Sequence, residues 1–249
     1  MPIYEDLRGK VVLVTGGANG IGAATVRALH AQGAQIHFCD IDARTGNRYA
    51  AQLGGGAFFS KVDLTREKSV RNWVQSVGKR HRQIDVLINN AASDPRLALE
   101  AMTAKAWDEL FALNLRAYFL TTQVAVPFMR RGGESVVNLS SITFHQGPAN
   151  MSAYVATKAG IIGLTRSLAR ELGSRRIRVN VVSPGWVMTE RQLRQYVTPH
   201  ARKTILGSQC IPELLQPNDM AEVILFLASD ASRAITGQEL LADRGWYHS

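Results

Sequence analysis

"VVLVTGGANGIGAATVRAL" (residues 11–29) reads as a strand, a glycine turn and a helix in direct succession. The opening "VVLV" has no polar break, the pattern of a strand covered on both faces rather than one. Gly16, Gly20 and Gly22 then follow in a TGxxxGxG spacing, distinct from the commoner GxGxxG. Glycines here allow a tight turn and close approach of a ligand to the backbone. The helix that follows offers free N–H groups, which suit a pyrophosphate. An ordinary glycine-rich strand-to-helix turn has the same residues, so the rest of the chain must decide.

Working outward, apolar runs recur at 10–15, 34–39, 57–62, 84–88, 134–139, 177–182 and 238–242. Helical patterns lie between them at about 20–32, 43–53, 66–81, 100–131 (with a break), 152–173 and 217–229. Such alternation means βαβ units. The fold expected is α/β: a Rossmann-type, doubly wound parallel sheet of about seven strands with helices on both faces, in one domain over 1–249. The stretch 186–211, "WVMTERQLRQYVTPHARKTILGSQCI", is long and polar and follows the sixth strand. An insertion there is where a substrate lid belongs.

At 249 residues, 46% hydrophobic and 20% charged, the chain has ample material for one core. The net charge of +9 raises nucleic acid as a partner. Yet its densest basic stretches, "GKRHRQ" (78–83) and "SRRIRVN" (174–180), lack interleaved aromatics and fall at helix-to-strand junctions, so they read as solvated loop charge. No nucleic acid and no membrane are expected as partners: the N-terminus lacks a secretory pattern and no uncharged apolar run reaches spanning length. The two cysteines, Cys39 and Cys210, give no disulfide framework and point to the cytoplasm. No metal site is expected.

Asp40 ends the second strand, eighteen residues beyond Gly22. A carboxylate there accepts hydrogen bonds from both ribose hydroxyls of an adenosine and repels a 2′-phosphate. No Lys or Arg stands at 17–19 or 41 to hold such a phosphate. The cofactor this favours is NAD over NADP. A helix-capping acid before "IDARTG" is the plainer role for the same residue.

In "MSAYVATKAGIIG" (151–163), Tyr154 and Lys158 are four apart and share a helix face. A tyrosine, pKa about 10, is a poor base at neutral pH. A neighbouring ammonium group favours the phenolate and lowers that value. Taken alone, the pair could equally be incidental.

The motifs "TGGANGIG" (15–22), "NNAA" (89–92), Asn114, "NLSS" (138–141), "YVATK" (154–158) and "SPGWVMT" (183–189) stand in order and spacing along nearly the whole chain. In this the chain resembles the short-chain dehydrogenase/reductases. The resemblance implies a catalytic tetrad of Asn114, Ser141, Tyr154 and Lys158. Ser141 is chosen over Ser140 because the family serine lies thirteen residues before its tyrosine. It further implies cofactor contacts from Gly16, Asn19, Gly20, Ile21, Gly22 and Asp40, and from Asp63 and Leu64 near adenine. Asn90 and Ala91 would lie beside the ribose, Tyr154 and Lys158 at the nicotinamide ribose, and Pro184, Val187 and Thr189 toward the carboxamide and pyrophosphate. The chain departs from the family at Ala92, where glycine is usual, after Ser141, and at "DRG" (243–245) in place of "DGG".

The family's sugar dehydrogenases of the xylose and galactose type share an Asp-x-Arg after "NNA", an aromatic–His pair after the serine and an Arg-Gln in the lid. Here these are Asp94 and Arg96, Phe144 and His145, and Arg191 and Gln192, with Trp186 opening the lid. Ser141, Tyr154, Asp94, Arg96, His145 and Trp186 are therefore the substrate candidates. The activity expected is NAD-dependent oxidation of an aldose at C1 to the lactone. Alternatives are a dehydrogenase or reductase of 3-oxoacyl thioesters or secondary alcohols, or an NAD-binding regulator without catalysis. The helices near 106–130 and 152–173 are apolar on more than one side. Together with the resemblance this implies a homotetramer.

Overall fold

The computed structural model describes residues 2–130 and 132–248. Met1, Arg131 and Ser249, which begin or end expected segments, lie outside the described residues. Among the described residues seven strands form one sheet: β1 Val11–Thr15, β2 Gln35–Asp40, β3 Ala57–Lys61, β4 Val86–Asn89, β5 Ser135–Leu139, β6 Arg178–Pro184 and β7 Glu239–Ala242. Their order is β3-β2-β1-β4-β5-β6-β7, every pairing parallel. The order reverses between β1 and β4, so a crevice opens beyond the carboxyl ends of those strands, where α/β proteins bind ligands.

Continuous apolar strands are explained by two covered faces. All five residues of β1 are buried, and successive side chains split between opposite layers. Val11 and Leu13 pack with Trp73, Val74 and Leu120, while Val12 and Val14 pack with Leu29, Ile224 and Leu225. The first layer is built by α3 (Glu67–His81), α5 (Ala117–Ala125) and α7 (Ser152–Leu172), the second by α1 (Gly20–Ala31), α2 (Ala43–Leu53) and α10 (Pro217–Ala228).

The expected break in 100–131 is a specific device. Helix α4 (Ala104–Phe111) passes through one π-helical turn, Ala112–Arg116, into α5. A π turn inserts an extra residue into the helical register and commonly marks a functional site. Asn114 lies inside it. A four-residue helix, α6 (Thr143–Gln146), follows β5, and the polar stretch after β6 holds α8 (Glu190–Gln195) and α9 (Pro199–Ser208).

The basic stretch 174–180 departs from its reading as solvated charge. Arg178 is 6% exposed, and its guanidinium donates to Leu227 O (2.8 Å), Ser229 O (3.0 Å) and Ser232 Oγ (2.7 Å). It thereby satisfies carbonyls left unpaired at the end of α10. Arg175 likewise donates to the carbonyls of Val126 and Met129. Among the described residues no helix is long and apolar enough to cross a membrane. Both cysteines are free, Cys39 buried and Cys210 exposed.

Candidate active site

The crevice is built first by backbone. Gly16 (φ +65°) and Gly20 (φ +55°) hold left-handed conformations that side chains disfavour. A Cβ on Gly22 would be driven into the Gly16 carbonyl oxygen, and one on Gly16 would sit 2.8 Å from Ala91 Cα. Asn19 is the N-cap of α1 without a side-chain cap, Gly20 begins the helix and Ile21 is part of its first turn. The helix N-terminus is thus left facing the crevice uncapped. "NNAA" fastens this loop: Asn90 Nδ2 donates to Thr15 O and Gly16 O (2.9 and 3.0 Å), and the N–H groups of Asn90 and Ala91 donate to Thr15 Oγ1.

Asp40 accepts from the Ala18 N–H (3.2 Å) through one oxygen and the Asp42 N–H (3.1 Å) through the other. The helix-capping role belongs instead to Asp42, which accepts from Thr45 N. A carboxylate offers about four acceptor positions, so Asp40 keeps capacity for two hydroxyls beside the glycine loop. Asp63 spends its carboxylate locally on Thr65 and Arg66; beside it Leu64 is buried. On the far rim Pro184 ends β6, Val187 bridges to Leu215, and Thr189 caps α8 with its methyl against Gly20. A glycine turn without side chains, a helix N-terminus without a side-chain cap and an acid at the end of β2 form a cradle that fits an adenosine pyrophosphate.

Beside this cradle the four tetrad candidates converge on the ends of β4 and β5. Lys158 is 2% exposed, with Nζ 2.8 Å from Leu139 O and 5.4 Å from the centre of the Tyr154 ring. The Ser141 hydroxyl hydrogen-bonds the half-buried Tyr154 phenol and accepts from Thr143 N at 3.2 Å. Ser140 turns away to donate to Lys158 O at 2.9 Å, which leaves Ser141 as the serine in the site. Asn114, fully buried, clasps the backbone of Ser93 from both sides (2.8 and 2.9 Å) and donates to Thr157 Oγ1. Its side chain thus fixes the loop that carries Asp94.

The electrostatics depart from the expectation that Lys158 draws Tyr154 down. Burial pushes the phenol above its ordinary value; the Asp94 carboxylate adds to this, while Ser141 and Arg191 oppose it. Burial also lowers Lys158 to about 7, against the pull of Asp94. At such depth desolvation outweighs the pairwise attraction that sequence spacing reveals. The phenol and amine remain adjacent, able to exchange a proton with a hydroxyl held at Ser141.

Asp94, Arg96 and Trp186 are brought together with the lid residues, while His145 is held apart from them. Asp94 and Arg96 do not pair. Asp94 binds Arg191 (2.5 Å) and Gln192 (2.9 Å), whereas Arg96 lies over the rings of Tyr196 (3.8 Å) and Trp186 (5.1 Å). Trp186 Nε1 donates to Gln192 Oε1 at 2.9 Å. His145 is tied through Nε2 to Glu239 (2.8 Å) and stacked on Tyr247, leaving Nδ1 as its other polar atom. Tyr196, Glu239 and Tyr247 were missed because no spacing links them to the motifs. The "DRG" departure has a structural cost: Arg244 takes the left-handed conformation (φ +58°), offset by pairing with Glu213 and Asp219. Among the described residues no cluster of three metal-ligating side chains occurs.

Comparison with known proteins agrees with this geometry. A family model described as enoyl-(acyl carrier protein) reductase matches residues 16–247. A probable galactose dehydrogenase of Rhizobium meliloti is 44% identical over 97% of this chain and 96% of its own. A D-xylose 1-dehydrogenase of Caulobacter vibrioides is 40% identical over 98% of each. A short-chain dehydrogenase of Burkholderia cenocepacia, crystallised with NADP, superposes with a TM-score of 0.90 at 32% identity, over 97% of this chain and 99% of its own. With its glycine cradle, parallel sheet and convergent Ser141, Tyr154 and Lys158, the chain belongs to the short-chain dehydrogenase/reductase family.

Proposed function

We propose that this protein is an NAD-dependent aldose 1-dehydrogenase that converts a free sugar to its lactone in the cytoplasm. The observation that carries the reading is a polar cluster, Asp94, Arg96 and Trp186 with Arg191 and Gln192, gathered on the loop that Asn114 fastens to the Tyr154 helix, with His145 separately held on α6 just beyond Ser141. Likeness to galactose and xylose dehydrogenases supports it. Ser141 holds the C1 hydroxyl and Tyr154 accepts its proton. Lys158 shares the proton load and binds the nicotinamide ribose, while Asn114 anchors the loop and a proton path to solvent. Gly16, Asn19, Gly20, Ile21 and Gly22 cradle the pyrophosphate. Asp40, Asp63, Leu64, Asn90 and Ala91 line the adenosine end, and Pro184, Val187 and Thr189 the nicotinamide end. When bound, the oxidised cofactor supplies the hydride acceptor and a ring positive charge that favours the phenolate.

Each buried sugar hydroxyl needs a partner, since an unpaired one costs about 1–3 kcal/mol. Asp94 can accept from hydroxyls with its remaining lone pairs, Arg96 donates, and His145 does either through Nδ1. Residues 186–211 are the lid that brings Trp186 over the substrate. The test is a panel of aldoses, polyols and hydroxyacyl compounds, assayed with NAD and NADP by absorbance of the reduced cofactor. Asp94→Ala and His145→Ala should lower sugar efficiency roughly 10–100-fold, much more than cofactor affinity. Efficient turnover of apolar secondary alcohols with no activity on any pentose or hexose would overturn the aldose assignment. Preference for acyl thioesters and NADP would favour the reductase reading that the matching family model's description suggests.

The quaternary state proposed is a homotetramer. An apolar groove with exposed Phe119, lined by Phe111, Leu115 and Leu164, runs between α4–α5 and α7. Gly160 is not spare room for a partner, since Leu115 of the same chain fills the space above it, whereas Gly163 is open. Light scattering that gives a monomer at micromolar concentration would exclude the tetramer.

A further inference from the structure

The ion pair of Asp94 and Arg191 joins two pieces of chain with no sequence proximity. Asp94 belongs to the loop after β4, fixed by Asn114 through Ser93 and by Leu97 N donating to Asn150 O (2.8 Å). Arg191 and Gln192 belong to α8, the first helix of the polar insertion. Three contacts close this insertion onto the fixed loop: Arg191 and Gln192 on Asp94, and Tyr196 over Arg96. Trp186 completes the closure by stacking under Arg96 and donating to Gln192. Asn114, which clasps Ser93 next to Asp94, also donates to Thr157 Oγ1, and that hydroxyl donates to Tyr154 O, so the fixed loop is fastened to the helical turn that carries Tyr154 and Lys158. Lys158 Nζ lies 5.4 Å from the centre of the Tyr154 ring and 5.8 Å from that of Tyr118 on α5, Ser141 after β5 touches the phenol, and the charges of Asp94 and Arg191 bear on it from the loop and from α8. Of the two ionised residues in the closing contact, one is therefore carried by the part that stays and the other by the part that closes.

We infer that Arg191, with Gln192, is a latch that holds the insertion shut over the site and, in the same contact, neutralises the Asp94 carboxylate on the loop that Asn114 fastens to the Tyr154–Lys158 turn. Closure and proton acceptance are then coupled. With Arg191 away, an uncompensated carboxylate stands near the phenol and favours its neutral form; with Arg191 seated, that opposition is cancelled. The direction agrees with Asp94 raising and Arg191 lowering the proton affinity of Tyr154. Arg191 is a positioning residue here, and the inference rests on Tyr154 as the base proposed above.

The variants are Arg191→Met, which keeps length and removes charge, Asp94→Asn, and the pair together. In the cofactor-free protein, hydrogen exchange over residues 190–208 should rise at least several-fold in either single variant. In turnover, the acidic limb of kcat/KM should lie about one pH unit higher in Arg191→Met and return toward wild type in the double variant. Compensation by the second substitution is the decisive result, because a contact that merely stiffened the insertion would raise KM without moving the pH profile. Unchanged exchange together with an unmoved acidic limb in Arg191→Met would overturn the latch. A failure of every aldose as substrate would overturn only the sugar assignment, since the exchange measurement needs no substrate and the pH profile can be taken with any alcohol that turns over.

Discussion

The cofactor end and the substrate end of the crevice are built in different ways. At the glycine loop, backbone meets backbone: Gly16 and Gly20 take conformations closed to most residues, and Asn90 ties the turn to β4. At the other end, side chains meet side chains. Asp94, Arg96, Trp186, Arg191, Gln192 and Tyr196 come from two separate segments and meet only when the chain is folded. At the first end an added side chain finds no room. The second is a set of polar contacts that can be exchanged one at a time, which suits a region that sets specificity.

The sharpest test lies where the two ends meet. Tyr154→Phe should reduce turnover by about 10³-fold or more while cofactor affinity, read by fluorescence titration, stays nearly unchanged. Lys158→Ala should harm both, because that side chain serves both ends. Tyr154→Phe with substantial residual activity would remove Tyr154 as the base.

The close packing of the cofactor end is probed by Gly22→Ala. The added methyl has no room against the Gly16 carbonyl oxygen and Asn90 Nδ2. A loss of about 3 kcal/mol in urea-unfolding stability is expected, with cofactor binding abolished. A variant of wild-type stability would contradict the close approach. At the substrate end a comparable change should affect sugar kinetics and leave stability nearly intact.

Acid separates the ends further. His37 on β2 is buried against Phe58, its Nε2 2.8 Å from His81 Nε2. Burial first, then His81 and Arg80, lowers it to about 4 from an ordinary 6.5. The unfolded chain therefore takes up this proton first as pH falls. Stability is fully present above about 6.5, declines between 6.5 and 4, and is then constant, a change of up to about 3 kcal/mol. In His37→Phe the urea midpoint should fall less than in wild type across that window. Parallel profiles would show that His37 carries none of the acid sensitivity.

The smallest effect expected is at Asp40. Asp40→Ala removes a ribose acceptor and the bond to Ala18 N, so NAD should bind roughly 10-fold more weakly and its advantage over NADP should narrow. An unchanged ratio of the two affinities would take Asp40 out of the selection.

The strands, their parallel pairing, the glycine turn and the Tyr154–Lys158 pair were legible in the sequence, whereas Ser141 came from the family resemblance. The first four rest on short-range geometry: two-sided burial makes a strand uniformly apolar, a left-handed turn demands glycine, and i,i+4 spacing aligns a helix face. What the sequence left open depended on distance between segments or on depth. That Asn114 sits in a π turn, that Arg178 is a buried clamp on α10, and that Asp94 pairs with Arg191 rather than Arg96 were decided by packing. The same holds for the proton affinities of Tyr154 and Lys158: spacing reveals which groups are neighbours, but burial strips their water, and in this site that desolvation sets the direction of both shifts.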